Sequence, residues 1–221
     1  MLHDVSLVPA GVLADWRADL DSGALPPTPH LTSGQRRVLV ACLELFATRG
    51  FLASSTRDIA ASLGMRSPSL YNHFPSKDAM LSALVLLGYE HHHARVTTAV
   101  LGAGARPADQ LTAVIREHVL ISCEFARLTI VIQQELEHLS AEARAAVLGY
   151  RNHTVVLVEQ ILARGHDEGA FDVRHARTTV SALGSMGLSA ALTYPYRSEL
   201  TAPDYATEFV DLALRLVGAP S

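Results

Sequence analysis

From Thr32 onward, apolar residues recur three and four positions apart, the spacing that lines one side of an α-helix. Val38, Cys42, Leu45 and Phe46 follow a Thr32/Gln35 capping box and run until Gly50. A second run spans Thr56 to Leu63, a third Pro68 to Phe74, and a fourth starts after Ser76 and continues past Tyr89. Five more follow near residues 107–124, 127–138, 141–165, 174–193 and 203–217. In the last of these, Tyr205, Phe209, Leu212 and Leu216 read as one apolar stripe. No window alternates with period two between hairpin turns, so strands are not expected. The pattern predicts an all-α chain of about nine helices, divided into an extension (1–31), a first helical domain (32–80) and a second (81–221). In the extension, "VLADWRADL" would wind Val12, Trp16 and Leu20 onto one side, with Trp16 packing on the body, before Gly23 and "PPTP" stop any helix.

Charge changes this picture locally. The net charge of −4 excludes a uniformly nucleic-acid-coating protein, yet residues 32–80 carry six basic against three acidic side chains. Residues 1–31 carry one against four, and 81–221 eleven against fifteen. Cys42 and Cys123 lie in apolar helical patterns without metal-ligand spacing, so free buried thiols in a reducing cytoplasm are expected. No basic region followed by an apolar core opens the sequence, so no secretion signal is expected, and the uncharged run from Thr178 to Tyr196 holds too many Gly, Ser and Thr residues for lipid. It reads as an interior or interface helix, and no membrane partner is expected.

The basic segment contains "TRDIAASLGMRSPSLYNHF". Ile59, Ala60, Leu63, Met65, Leu70 and Phe74 let two short helices cross at a wide angle over the first helix, with Gly64 at the sharp turn. Ser67 can cap the next helix and Pro68 suits its first position. The remaining residues there, Arg66, Ser67, Ser69, Tyr71, Asn72 and His73, are hydrogen-bonding groups without a carboxylate. That composition points to a helix-turn-helix reading the major groove, with Thr56, Arg57 and Lys77 beside it for phosphate.

The stretch from Thr32 to Leu81, with "LFATRGF", "TRDIA", "LG", "SLYNHF" and "SKD", resembles the DNA-binding domain of the TetR family of bacterial transcriptional regulators. By that resemblance Thr56, Arg57, Arg66, Ser67, Ser69, Tyr71, Asn72, His73 and Lys77 fall on positions that touch DNA in relatives, with Ser69 and Asn72 at variable ones. The resemblance also implies a helical ligand-binding and dimerisation domain after it, and a repressor released from a double-stranded operator by a small-molecule effector. "VEQILARGHDEGAFDVRHA" resembles members that sense acyl-CoA or other CoA thioesters. The alternative is a helical ligand-binding or protein-interaction module that no longer binds DNA.

For the homodimer, Gly184, Gly187, Ala190 and Ala191 would allow close helix approach, and Phe209, Leu212 and Leu216 would supply apolar area. The expected cavity wall is Leu84, Leu87, Ile121, Phe125, Ile130 and Val158, with Tyr89, Cys123, Arg127, Gln134, Tyr150 and Arg151 as polar anchors. Arg127 and Arg151 either pair with a glutamate such as Glu124 or Glu135 or meet an anionic ligand, and a cationic ligand would find Glu135 or Glu137. Consecutive His91, His92 and His93 point about 100° apart on a helix, which suits a solvated surface better than a metal site. His118, His138 and His153 are scattered. No phosphate loop, nucleophile elbow or His-Glu-x-x-His motif occurs, so neither a cofactor, a metal nor an enzymatic activity is expected.

Overall fold

The computed structural model describes residues 24–197 and 199–219. Among them are nine α-helices and no strand: α1 (Ser33–Arg49), α2 (Thr56–Ser62), α3 (Ser67–Leu70), α4 (Lys77–Gly102), α5 (Pro107–Glu124), α6 (Ala126–Glu135), α7 (Ala141–Asp167), α8 (Ala176–Thr193) and α9 (Ala202–Leu216). One-turn 3-10 segments follow α6 and α8. The helix expected around Trp16 lies outside the described residues.

Capping chemistry sets most of the helix starts. Thr32 and Gln35 exchange side-chain and backbone hydrogen bonds at 3.0 and 3.2 Å before α1, and Ser55 and Asp58 do the same before α2. Ser76, Ser140 and Thr201 cap α4, α7 and α9. Ser67 is not a cap: Arg66 holds that position, without a side-chain cap bond, and Ser67 lies in the first turn. The third helix is also shorter than expected. α-Helical bonding stops at Leu70, and the chain closes in a turn in which the Leu70 carbonyl accepts the N–H groups of both His73 and Phe74. Pro75 disfavours helical geometry at Phe74, whose ring turns inward to the core.

Helices α1 to α3 pack around Leu39, Leu43, Phe46, Ile59 and Leu70. In the remainder α5 is central, touching α4, α7, α8 and α9. The two parts share α4, a single helix of 26 residues that crosses the boundary expected at residue 80. The end of the extension is anchored: Leu25 is buried, and the Arg36 guanidinium donates to the Leu25 and Pro26 carbonyls at 2.7 and 2.6 Å.

"GHDEGAF" is a helix terminator. Ala170 and Phe171 donate N–H bonds back to the Gly165 carbonyl, Gly169 takes φ +71°, and a β-carbon on Gly165 would collide with the Phe171 ring.

On α9 the buried face is Tyr205, Ala206, Phe209, Val210 and Ala213, which packs against α5. Leu212 and Leu216 lie outside it at 51% and 47% exposed, so the four-residue stripe read from the sequence divides in two.

Candidate DNA interface and ligand cavity

The α2 helix, the cap of α3 and the turn after it present Arg57, Arg66, Tyr71 and Asn72 as exposed side chains, with Thr56, Ser67 and Ser69 half-buried beside them. Arg57 and Arg66 have no acidic partner among the described residues. The nearby carboxylate of Asp58 is engaged, capping α2 and lying 3.9 Å from Arg49. Its hydrogen bonds to the Ser55 hydroxyl and N–H, with help from Arg49, hold its pKa below the usual carboxylate value.

Two residues expected at DNA are directed inward. The Lys77 ammonium donates to the Phe51 and Ser54 carbonyls, each at 2.8 Å, and lies 4.1 Å from the centre of the Phe51 ring. The Phe51 carbonyl also accepts the Ser54 N–H at 3.2 Å, and Lys77 ties both carbonyls of this α1–α2 turn together, so the cation is a clamp rather than a free phosphate contact. His73 sits against Gly34 at the start of α1, where any β-carbon would strike its ring.

The clamp continues into the second domain. The Phe51 N–H donates to the buried Glu135 carboxylate at 2.9 Å, and His138 stacks on the Phe51 ring with centroids 5.6 Å apart. Arg127 pairs with Glu44 of α1 rather than with Glu124 or Glu135, while Glu124 is held by Arg95 at 2.6 Å. Glu135 is thus unavailable to a cationic ligand.

A cavity of about 600 Å³ lies between α4, α5, α6, α7 and α8. Tyr89, Tyr150 and Arg151 border it as expected, as do Ile121, Phe125 and Val158. Cys123, Arg127 and Gln134 do not, nor do Leu84, Leu87 and Ile130, which pack elsewhere in the core. On α6 the lining face is Leu128, Thr129, Ile132 and Gln133, one position out of phase with the expected Gln134. Burial pushes the Tyr89 hydroxyl pKa up, partly offset by Arg151. Glu90, which accepts from the Tyr150 hydroxyl at 3.3 Å, raises that pKa too. No part of "GHDEGAF" reaches the cavity.

The histidines depart most from expectation. His91 and His92 line the cavity instead of a solvated surface, and His92 Nε2 lies 2.7 Å from Nδ1 of His118 on α5. His118 Nε2 faces the Gly184 carbonyl at 3.0 Å and the Gly187 N–H at 3.1 Å on α8. Burial, followed by the neighbouring His118, pushes the His92 pKa down to about 3, and burial also lowers that of His118. His91 Nε2 is buried without a partner among the described residues, and its ring meets Phe125 edge to face. His93 packs against Tyr150 and His153. A sequence signal for His118 did exist: Ile115, His118 and Ser122 share one helical face inside an apolar stretch.

The expected dimer residues also separate. Gly187 faces His118 and Ser122, Ala191 is fully buried and Phe209 packs on Tyr205, so these three serve the protomer's own core. Gly184 keeps open surface but borders the cavity, leaving Leu212 and Leu216 directed outward. Among the described residues no helix is long and apolar enough to cross a membrane, and no cluster of metal-ligating side chains occurs.

Comparison with known proteins agrees with this architecture. The repressor KstR2 of Rhodococcus jostii is 32% identical over 152 residues, 66% of this chain and 74% of its own. A solved regulatory protein of the tetR family from Rhodococcus RHA1 superposes with a TM-score of 0.79 at 29% identity, covering 86% of this chain and all of that one. AibR, solved with isovaleryl coenzyme A and operator DNA, has the same fold with a TM-score of 0.72 at 23% identity, over 81% of this chain and 97% of its own. The model of tetR-family bacterial regulatory proteins matches residues 38–84, and that of a tetracyclin repressor-like C-terminal domain matches 104–217. The two models thus cover the helix-turn-helix and most of the helical domain after it, and the chain belongs to the TetR family of bacterial regulatory proteins.

Proposed function

We propose that the protein is a repressor that binds a palindromic operator as a homodimer and releases it when an amphipathic effector fills the cavity. The carrying observation is the face formed by Arg57, Arg66, Tyr71 and Asn72: two guanidinia without acidic partners among the described residues, a phenol and an amide, on α2 and at the two ends of α3, next to the Phe51 clamp. Arg57 and Arg66 hold phosphates, and Asn72 and Ser69 read bases. One such face covers few base pairs, so two copies are needed on an inverted repeat, centred at least about one helical turn apart. Leu212 and Leu216 on α9 supply the apolar centre of the contact.

The cavity explains release. Its walls include α4, whose first residue is Lys77, and α6, whose last residue is Glu135, and both residues hold Phe51. A ligand that separates these walls shifts the clamp and with it the spacing between reading helices. The effector is an anionic CoA thioester. Arg151 and Arg177 border the cavity, exposed and without acidic partners among the described residues, and AibR was solved with isovaleryl coenzyme A.

Selection of duplexes from a random pool should yield an inverted repeat; no preferred sequence at moderate salt rules the reading out. Leu212→Arg should give monomers that lose operator binding, as sedimentation and gel shift would report. Acyl-CoA thioesters should release the operator, and by linkage the operator should weaken thioester affinity by the same factor. Release only by neutral or cationic hydrophobes would reject the thioester assignment.

A further inference from the structure

The rim arginines address the anionic end of a ligand, but the interior contains a second polar patch formed by His92, His118 and Ser122. Its hydrogen atoms can be assigned. A neutral imidazole has one N–H and one lone pair. His118 Nε2 faces a carbonyl and an N–H, both belonging to α8. The Gly187 N–H also reaches Nε2, but it lies in mid-helix, where an N–H has the carbonyl four residues back as its partner, whereas the Gly184 carbonyl keeps a second lone pair. The hydrogen therefore sits on His118 Nε2 and points to Gly184. Nδ1 of His118 is then an acceptor, so the proton between the rings belongs to His92 Nε2. His92 Nδ1 is left with a bare lone pair and has no partner among the described residues. Ser122 donates its hydroxyl hydrogen to the His118 carbonyl at 2.7 Å, leaving only lone pairs. Both groups are acceptors in need of a donor.

We propose, building on the thioester reading above, that the effector carries a hydroxyl group on its apolar body and donates its hydrogen to this His92–Ser122 patch. A ketone would bring a further acceptor. An ammonium would enter a patch without a carboxylate, at a large desolvation cost. Burial keeps both imidazoles neutral, so the patch does not compete with the rim for the anion.

The test compares three series of CoA thioesters by calorimetry and by operator release: straight acyl chains, the same chains ending in a hydroxyl, and chains ending in a methyl ketone. The best hydroxylated member should bind about tenfold tighter than the best plain one, the effect of one well-made buried hydrogen bond. His92→Phe should shrink that preference, taken as the ratio of hydroxylated to plain-chain affinity within the variant, to about twofold or less; His92→Asn, which restores an acceptor near Nδ1, should recover it. Thermal melts and operator affinity of both variants check that they fold. If plain chains release the operator and hydroxylated ones are no better, or ketones are preferred, the hydroxyl assignment falls and the thioester reading stands. If no thioester binds, both fall.

Discussion

The clamp around Phe51 and the cavity beneath it use the same kinds of residue in opposite ways. At the clamp, Lys77, Glu135 and the Phe51 N–H are mutually satisfied at 2.8 to 2.9 Å, and His138 covers the ring. In the cavity, His91 Nε2 has no hydrogen-bond partner, and Arg151 and Arg177 no acidic one, among the described residues. One region has its polar groups paired internally and holds a geometry. The other leaves them for a molecule that arrives from outside. A regulator needs this division, because a loose clamp would blur the operator spacing and a satisfied cavity would bind nothing.

The contrast breaks most completely at Lys77. Lys77→Met removes a charged donor from two carbonyls and should destabilise the protein by about 3 kcal/mol, measured by urea unfolding. It should weaken DNA binding without changing the slope of log affinity against log salt. Smaller in effect, and at the cavity, is the pH dependence. His92 titrates near 3 in the folded protein against about 6.5 unfolded, so the unfolded state takes up the proton first. Stability is full above pH 6.5 and declines between 6.5 and 3, by at most about 1.4 kcal/mol per pH unit for this group. Its titrating and charged neighbours are His91, His93, His118 and Arg95, none of them acidic. His92→Asn should flatten this part of the profile relative to the parent. Smallest is the effect at the reading face: Arg57→Ala or Arg66→Ala should leave stability within about 0.5 kcal/mol while reducing the salt slope by about one phosphate contact.

Local signals made the helices legible. Thr32/Gln35, Ser76, Gly50 and Gly64 mark ends that depend on residues a turn away, and the structure places helix boundaries close to them. The site was legible only where its signal was local. Lys77 looked like a phosphate ligand because the carbonyls it clamps, 23 and 26 residues earlier, have no signature in sequence. Three consecutive histidines looked solvated because the partner of the middle one stands 26 residues away on another helix. Gly187 and Phe209 looked like interface residues because periodicity identifies a buried face without saying which neighbour buries it. The third helix stops at Leu70, and Pro75 accounts only for the non-helical geometry of Phe74.

Lys77 is the only lysine among 221 residues, and its amine is fully engaged at the junction of the two domains. An acylating reagent therefore has a single side-chain amine to modify, and the two hydrogen bonds that hold it should slow its reaction while the clamp is closed. The rate of that modification is a clock for domain opening, read from one peptide with no background from other lysines. Operator DNA should slow it and effector should speed it, so acylation reports the allosteric equilibrium without a dye or an engineered cysteine.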